Sequence, residues 1–180
     1  MSFLKKIFNF YIDSSIHVAL AVYALSWITL LEFQIPYNEA VLNFILYASI
    51  TGYNFVKYFG LAKFHYRSLA TWLKIIQIFS LICFVLMCYY AFQLKLQTLL
   101  VILAFGVITF LYAIPFLPSK LLFDNNRNLR SISGLKVYVI ALVWAGVTVA
   151  LPLINNRYPI NADVILTGLQ RYIFVIVLMI

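Results

Sequence analysis

The sequence predicts an all-α fold, a polytopic transmembrane helix bundle, from three observations. The 180 residues are 65% hydrophobic and only 10% charged, with a mean hydropathy of +1.00. An ordinary soluble domain carries about a quarter charged residues. Six apolar runs follow one another, at Ser15–Leu31, Ala40–Phe59, Leu69–Phe92, Leu96–Leu117, Leu135–Ile154 and Val164–Ile180. Each is close to the roughly 20 residues that a helix needs to cross ~30 Å of hydrocarbon. A β-barrel would instead show ~10-residue stretches of alternating polarity, and none is present. Finally, the basic residues alternate between gaps. Lys5 and Lys6, then Lys57, Lys63, Arg67 and Lys74, then Lys120, Arg127, Arg130 and Lys136 fall on one side, and only Lys95 and Arg157 on the other. Lys and Arg are retained on the cytoplasmic face during insertion. The expectation is six spans, N-terminus cytoplasmic, in the cytoplasmic (inner) membrane.

Taken in order, Met1–Ser14 reads as an amphipathic lead-in at headgroup level, with Phe3, Leu4, Ile7, Phe8 and Tyr11 on its apolar face. Asp13-Ser14-Ser15 offers N-cap oxygens to the first span. That span is too long for a signal-peptide core and lacks a small-x-small cleavage site. Pro36 separates it from the second. Pro115 and Pro118 close the fourth, and Asp124-Asn125-Asn126 marks a turn within the long Ser119–Ser133 loop. Ser133-Gly134 can cap the fifth. The sixth run, Val164–Ile180, would rise only ~25 Å. The whole reads as a single helical domain, residues 1–180, expected to be the N-terminal part of a longer bundle.

The net charge of +8 is dispersed over short loops beside the spans. Attraction to anionic headgroups accounts for it, so nucleic acid is set aside as a partner and membrane lipids are expected. Cys83 and Cys88 lie within one span at a spacing that suits neither a CxxC motif nor a disulfide. His17 and His65 sit at a span start and in a loop, not at one depth on facing helices as bis-His haem ligation needs. No metal-ligand spacing appears.

Polar residues inside spans are the strongest functional leads, because lipid offers them no partner. Asn54, Lys74, Gln77 and Arg171 are such residues. Lys74 can snorkel to the interface. Asn54 either joins helices by hydrogen bonding or serves a ligand. Arg171 lies ~10 Å into its span and needs a partner that the sequence does not name. Carbonyls near Pro115 or Pro152, the Asn54 amide, and a carboxylate downstream of Ile180 are the candidates.

Two stretches resemble a known family. Thr51–Arg67, TGYNFVKYFGLAKFHYR, lies where UbiA-type intramembrane prenyltransferases carry their first Asp-rich motif, N-D-x-x-D-x-x-x-D. Leu111-Tyr112-Ala113-Ile114-Pro115 resembles that family's L-Y-S-x-P, followed by Lys120 and by Gly134-Leu135-Lys136. The resemblance covers about Ser14 to Ile180. It implies a bundle of about nine helices that transfers a prenyl group from a diphosphate, with Mg²⁺ held by the motif's carboxylates. Here Phe55, Tyr58 and Ala62 replace those aspartates. Mg²⁺ is therefore expected only if a second Asp-rich motif exists beyond Ile180, and no metal ligand or catalytic residue is assigned within the chain. Either basic side chains take the diphosphate directly, or catalysis is lost and the bundle remains as a lipid-binding scaffold. The substrate-binding candidates are Asn54, Lys57, Lys63, Arg67, Tyr112, Lys120, Arg127, Arg130 and Arg171, with an isoprenoid diphosphate as ligand. The competing class is a non-enzymatic multi-spanning transport or structural protein.

Overall fold

The computed structural model describes residues 3–58, 70–113 and 135–179. Nearly all of them are helical, and none forms a strand. In order come α1 (Phe3–Asp13), α2 (Ile16–Glu32), α3 (Glu39–Tyr58), α4 (Ala70–Ala91), α5 (Leu96–Ala113), α6 (Leu135–Ala145), a π-helical segment (Gly146–Ala150), α7 (Leu151–Asn155) and α8 (Ala162–Met179). Three stretches are long and apolar enough to cross a membrane: Trp72–Ala91, Val137–Asn155 and Ala162–Met179. The bent pair α1–α2 raises this to four if it counts as one span. Apolar residues Leu96–Leu111 of α5 form a shorter helix. The 20 residues of α3 include Glu39, Asn43, Asn54 and Lys57 and are not among the candidates.

The chain divides into two compact units. The first holds Met1–Ile28 and Tyr37–Leu94. Within it α3 and α4 lie antiparallel: Asn54 faces Ser80, and Tyr47 stacks on Tyr90 with centroids 5.9 Å apart. Ala19 of α2, Ile50 of α3 and Cys83 of α4 meet in a buried cluster flanked by Ile16, Leu46, Tyr47 and Phe79. The Asp13–Ser15 corner is not the N-cap expected of it. Ser14 Oγ donates back to the Phe10 carbonyl, 2.6 Å away, and Ser15 takes φ 61°. These bonds terminate α1 instead of starting α2, and the axes of the two helices differ by 57°.

The second unit holds Thr29–Pro36 and Lys95–Ile180. The C-terminal turn of α2 closes as a Schellman motif: Ile35 N–H reaches Leu30 O at 2.8 Å and Gln34 N–H reaches Leu31 O at 3.1 Å. Gln34 supplies the left-handed residue, φ 53°. The helix therefore ends on hydrogen bonds before Pro36 is reached. α7 ends the same way through Arg157, φ 57°, and Tyr158. Asn155 Oδ1 then accepts from Lys95 N–H (3.2 Å) and Thr98 Oγ1 (3.1 Å), satisfying donors at the start of α5.

Helix α6 continues without a break through the π segment into α7. Pro152 explains the wide turn. It has no N–H for the Thr148 carbonyl, and its ring would press on that oxygen. Widening the ladder to i→i−5, as in Leu151 N–H to Gly146 O, relieves both problems. Gly146 packs under the Phe105 ring, where a Cβ would overlap the aromatic carbons.

Candidate functional site

The Thr51–Tyr58 end of α3 brings together the residues that the family resemblance singled out. Helical spacing puts Thr51, Asn54 and Tyr58 on one face of α3. Asn54 is 3% exposed, and its Nδ2 donates to Ser80 Oγ at 2.8 Å. Its Oδ1 and the neighbouring Thr51 Oγ1 are enclosed with no hydrogen-bond partner among the described residues. A buried acceptor left unpaired costs about 1–3 kcal/mol.

One turn further on, the chemistry is structural. The Asp13 carbonyl, an orphan acceptor at the end of α1, receives Lys57 Nζ at 3.1 Å and the Tyr58 hydroxyl at 2.8 Å. Its carboxylate receives Trp72 Nε1 at 3.1 Å and lies 3.7 Å from Lys57 Nζ. Asp13 thus ties α1 to α3 and α4. Tyr58, at a motif position where the family has an aspartate, serves as a pin between helices. Phe55 offers no ligand atom at all. The motif positions that are described therefore do not fit a Mg²⁺ ion, and no group of three His, Cys, Asp or Glu among the described residues could hold one.

In the second unit, the Arg171 side chain is only 9% exposed. Its Nη2 lies 3.4 Å from Thr29 Oγ1 and 3.9 Å from Glu32 Oε2. Among the described residues its carboxylate partner comes from the C-terminal end of α2, an acid that reads in sequence as a loop residue; Pro115 lies outside the described residues. Asp163, Thr167 and Arg171 are spaced four apart along one face of α8. Beside that face is an open cavity of about 430 Å³ lined by Glu32, Phe33, Gln34, Tyr158, Asp163 and Thr167. The Phe33 and Tyr158 rings meet edge to face at 5.0 Å.

Of the sequence candidates, Asn54 and Lys57 share one end of α3, and Arg171 belongs to the other unit. Tyr112 lies on α5. Lys63, Arg67, Lys120, Arg127 and Arg130 lie outside the described residues, as do Ala62, Pro115, Pro118 and the Ser133-Gly134 cap. Sequence reasoning missed Asp13 as a hub, Glu32 as an ion-pair partner and Asn155 as a cap. For Asp13 and Glu32 the signal was the rarity of carboxylates, five in the whole chain, and Asn155 carried none. The chain matches no family model, no curated protein and no solved structure.

Proposed function

We propose that this chain is a divergent UbiA-type integral membrane protein that binds a polyprenyl diphosphate, with prenyl-transfer catalysis altered or lost. Asn54 carries the reading. It is a buried amide at the motif's Asn position, with an unspent carbonyl and a hydroxyl acceptor one turn away. Such an arrangement is retained against its cost where a ligand or water completes it. The apolar spans accept the isoprenoid chain. The candidates for direct charge-assisted hydrogen bonds to the diphosphate, in place of a metal clamp, are the sequence-expected basic residues Lys63, Arg67, Lys120, Arg127 and Arg130, which lie outside the described residues. In this reading the chain has six spans and its N-terminus is cytoplasmic.

A second reading, a non-enzymatic lipid-binding or structural protein, is favoured by Lys57 and Tyr58. Both are spent on Asp13, so this part of the motif holds helices together. The test is equilibrium binding of geranylgeranyl diphosphate to the full-length protein in detergent. The proposal expects Arg130→Ala to weaken binding about 10- to 100-fold, the loss of one charged hydrogen bond. Asn54→Leu should weaken it as well, and chelation of Mg²⁺ should leave it unchanged. Equal affinity in wild type and both variants would overturn the assignment of these residues.

A further inference from the structure

We propose that α1 is a membrane-surface helix that docks on an anionic lipid leaflet, its apolar face in the acyl boundary and Lys5 and Lys6 on lipid phosphates. Its two halves have different surroundings. The second half is fixed to the protein. Phe10 packs edge-on against Trp72 and Phe79, with centroids 6.0 and 5.3 Å away, and Asp13 is held by Lys57, Tyr58 and Trp72. The first half is exposed all round: Phe3 and Leu4 are each 76% exposed, Phe8 62%, and Ile7 about half. Lys5 and Lys6 are exposed too, with no ion-pair partner among the described residues.

Three features place this apolar face at a bilayer surface. Trp72, the residue that α1 is pinned to, begins the apolar stretch Trp72–Ala91. Tryptophan at the end of a span marks the headgroup level, so the anchored half of α1 sits at that level. The 57° bend then sets its course. Eleven residues extend about 16 Å, so with α2 along the membrane normal Phe3 lies only about 9 Å from the corner along that normal. With α2 upright that displacement points away from the bilayer; tilting α2 by about 33°, within the range of membrane spans, lays α1 in the membrane plane. Lastly, two adjacent lysines on such a helix complement anionic headgroups, each contributing about fivefold to docking. A protein partner would not require the lysines to sit at the level that Trp72 sets.

The experiment places a nitroxide at position 8 or 12 (Phe8→Cys or Ile12→Cys) of the full-length protein carrying Cys83→Ala and Cys88→Ala. The protein is reconstituted in phosphatidylcholine vesicles, with or without about a third phosphatidylglycerol. In the anionic vesicles both labels should favour oxygen over an aqueous nickel chelate, at a depth just below the phosphates. Adding Lys5→Gln and Lys6→Gln should weaken the docking equilibrium by roughly thirtyfold, returning both labels to their values in neutral vesicles. Three results would overturn the proposal. Labels open to nickel in both vesicle types mean a helix free in water. Labels at the bilayer centre mean that α1 continues the span. Labels shielded from both quenchers mean that protein, a second copy included, covers the face.

Discussion

Replacing Glu32 by Gln puts a neutral amide where a carboxylate stood 3.9 Å from the nine-tenths-buried Arg171 side chain, beside the Thr29 hydroxyl. Two unit charges 4 Å apart attract by about 4 kcal/mol at an effective dielectric of 20. Three facts reduce that figure here. The Nη2–Oε2 separation is 3.9 Å, a single long contact and not a bidentate fork. The Glu32 side chain is 46% exposed, so water screens it. Solvent can also take up part of the load when Glu32 is removed. The expected coupling is therefore about 1–2 kcal/mol, above that of an exposed pair and below the ~3–5 kcal/mol cost of breaking a fully buried one. The assay is a double-mutant cycle of Glu32→Gln and Arg171→Leu, read by reversible denaturation of the detergent-solubilised protein. Glu32→Gln should cost more in the wild-type background than in the Arg171→Leu background. If the two substitutions add within about 0.5 kcal/mol, the ion pair contributes nothing and the argument from burial fails.

Other consequences lie nearby. Asn155→Ala removes acceptors from Lys95 N–H and the buried Thr98 hydroxyl and should cost about 1–2 kcal/mol in thermal denaturation, while Asn155→Asp, which keeps an acceptor oxygen, should cost much less. Gly146→Ala drives a methyl into the Phe105 ring and should cost about 1–3 kcal/mol, with Phe105→Leu restoring much of the loss. For topology, cysteines at Lys63 and Asn126 should be shielded from impermeant thiol reagents in intact cells and one at Asn38 labelled. The opposite pattern would reverse the orientation proposed from the basic residues.

How much of this was legible in the sequence follows from the range of each signal. The apolar runs locate most helices within a few residues, because a long uninterrupted apolar stretch bounded by turn residues favours helix whatever it packs against. The helix ends were less visible. Ser15, Gln34 and Arg157 take left-handed conformations without being glycine, so no composition cue marks them. Pro36 suggested the right break by the wrong cause: the Schellman bonds had already ended α2. The π segment was hidden because it lies in an uninterrupted apolar run, and only Pro152 hinted at it. At the candidate site, Asn54 stands out as a polar residue inside an apolar run, a local anomaly. Its pairing with Ser80 and the pairing of Arg171 with Glu32 join residues far apart in sequence. No periodicity carries that information. Asp-Ser-Ser beside a helix start reads as a cap, yet the Asp13 carbonyl and carboxylate accept from Lys57, Tyr58 and Trp72.

In the proposed reading the chain recognises a lipid diphosphate without a metal clamp. The direct measurement compares binding of geranylgeranyl diphosphate and of geranylgeraniol to the full-length protein, with Mg²⁺ chelated throughout. The two ligands share the isoprenoid chain and differ only in the diphosphate. The expected result is saturable binding of the diphosphate, at least tenfold tighter than the alcohol, weakening as salt is raised because basic side chains supply the contacts. Equal binding of both ligands, or diphosphate binding that appears only when Mg²⁺ is restored, would contradict it.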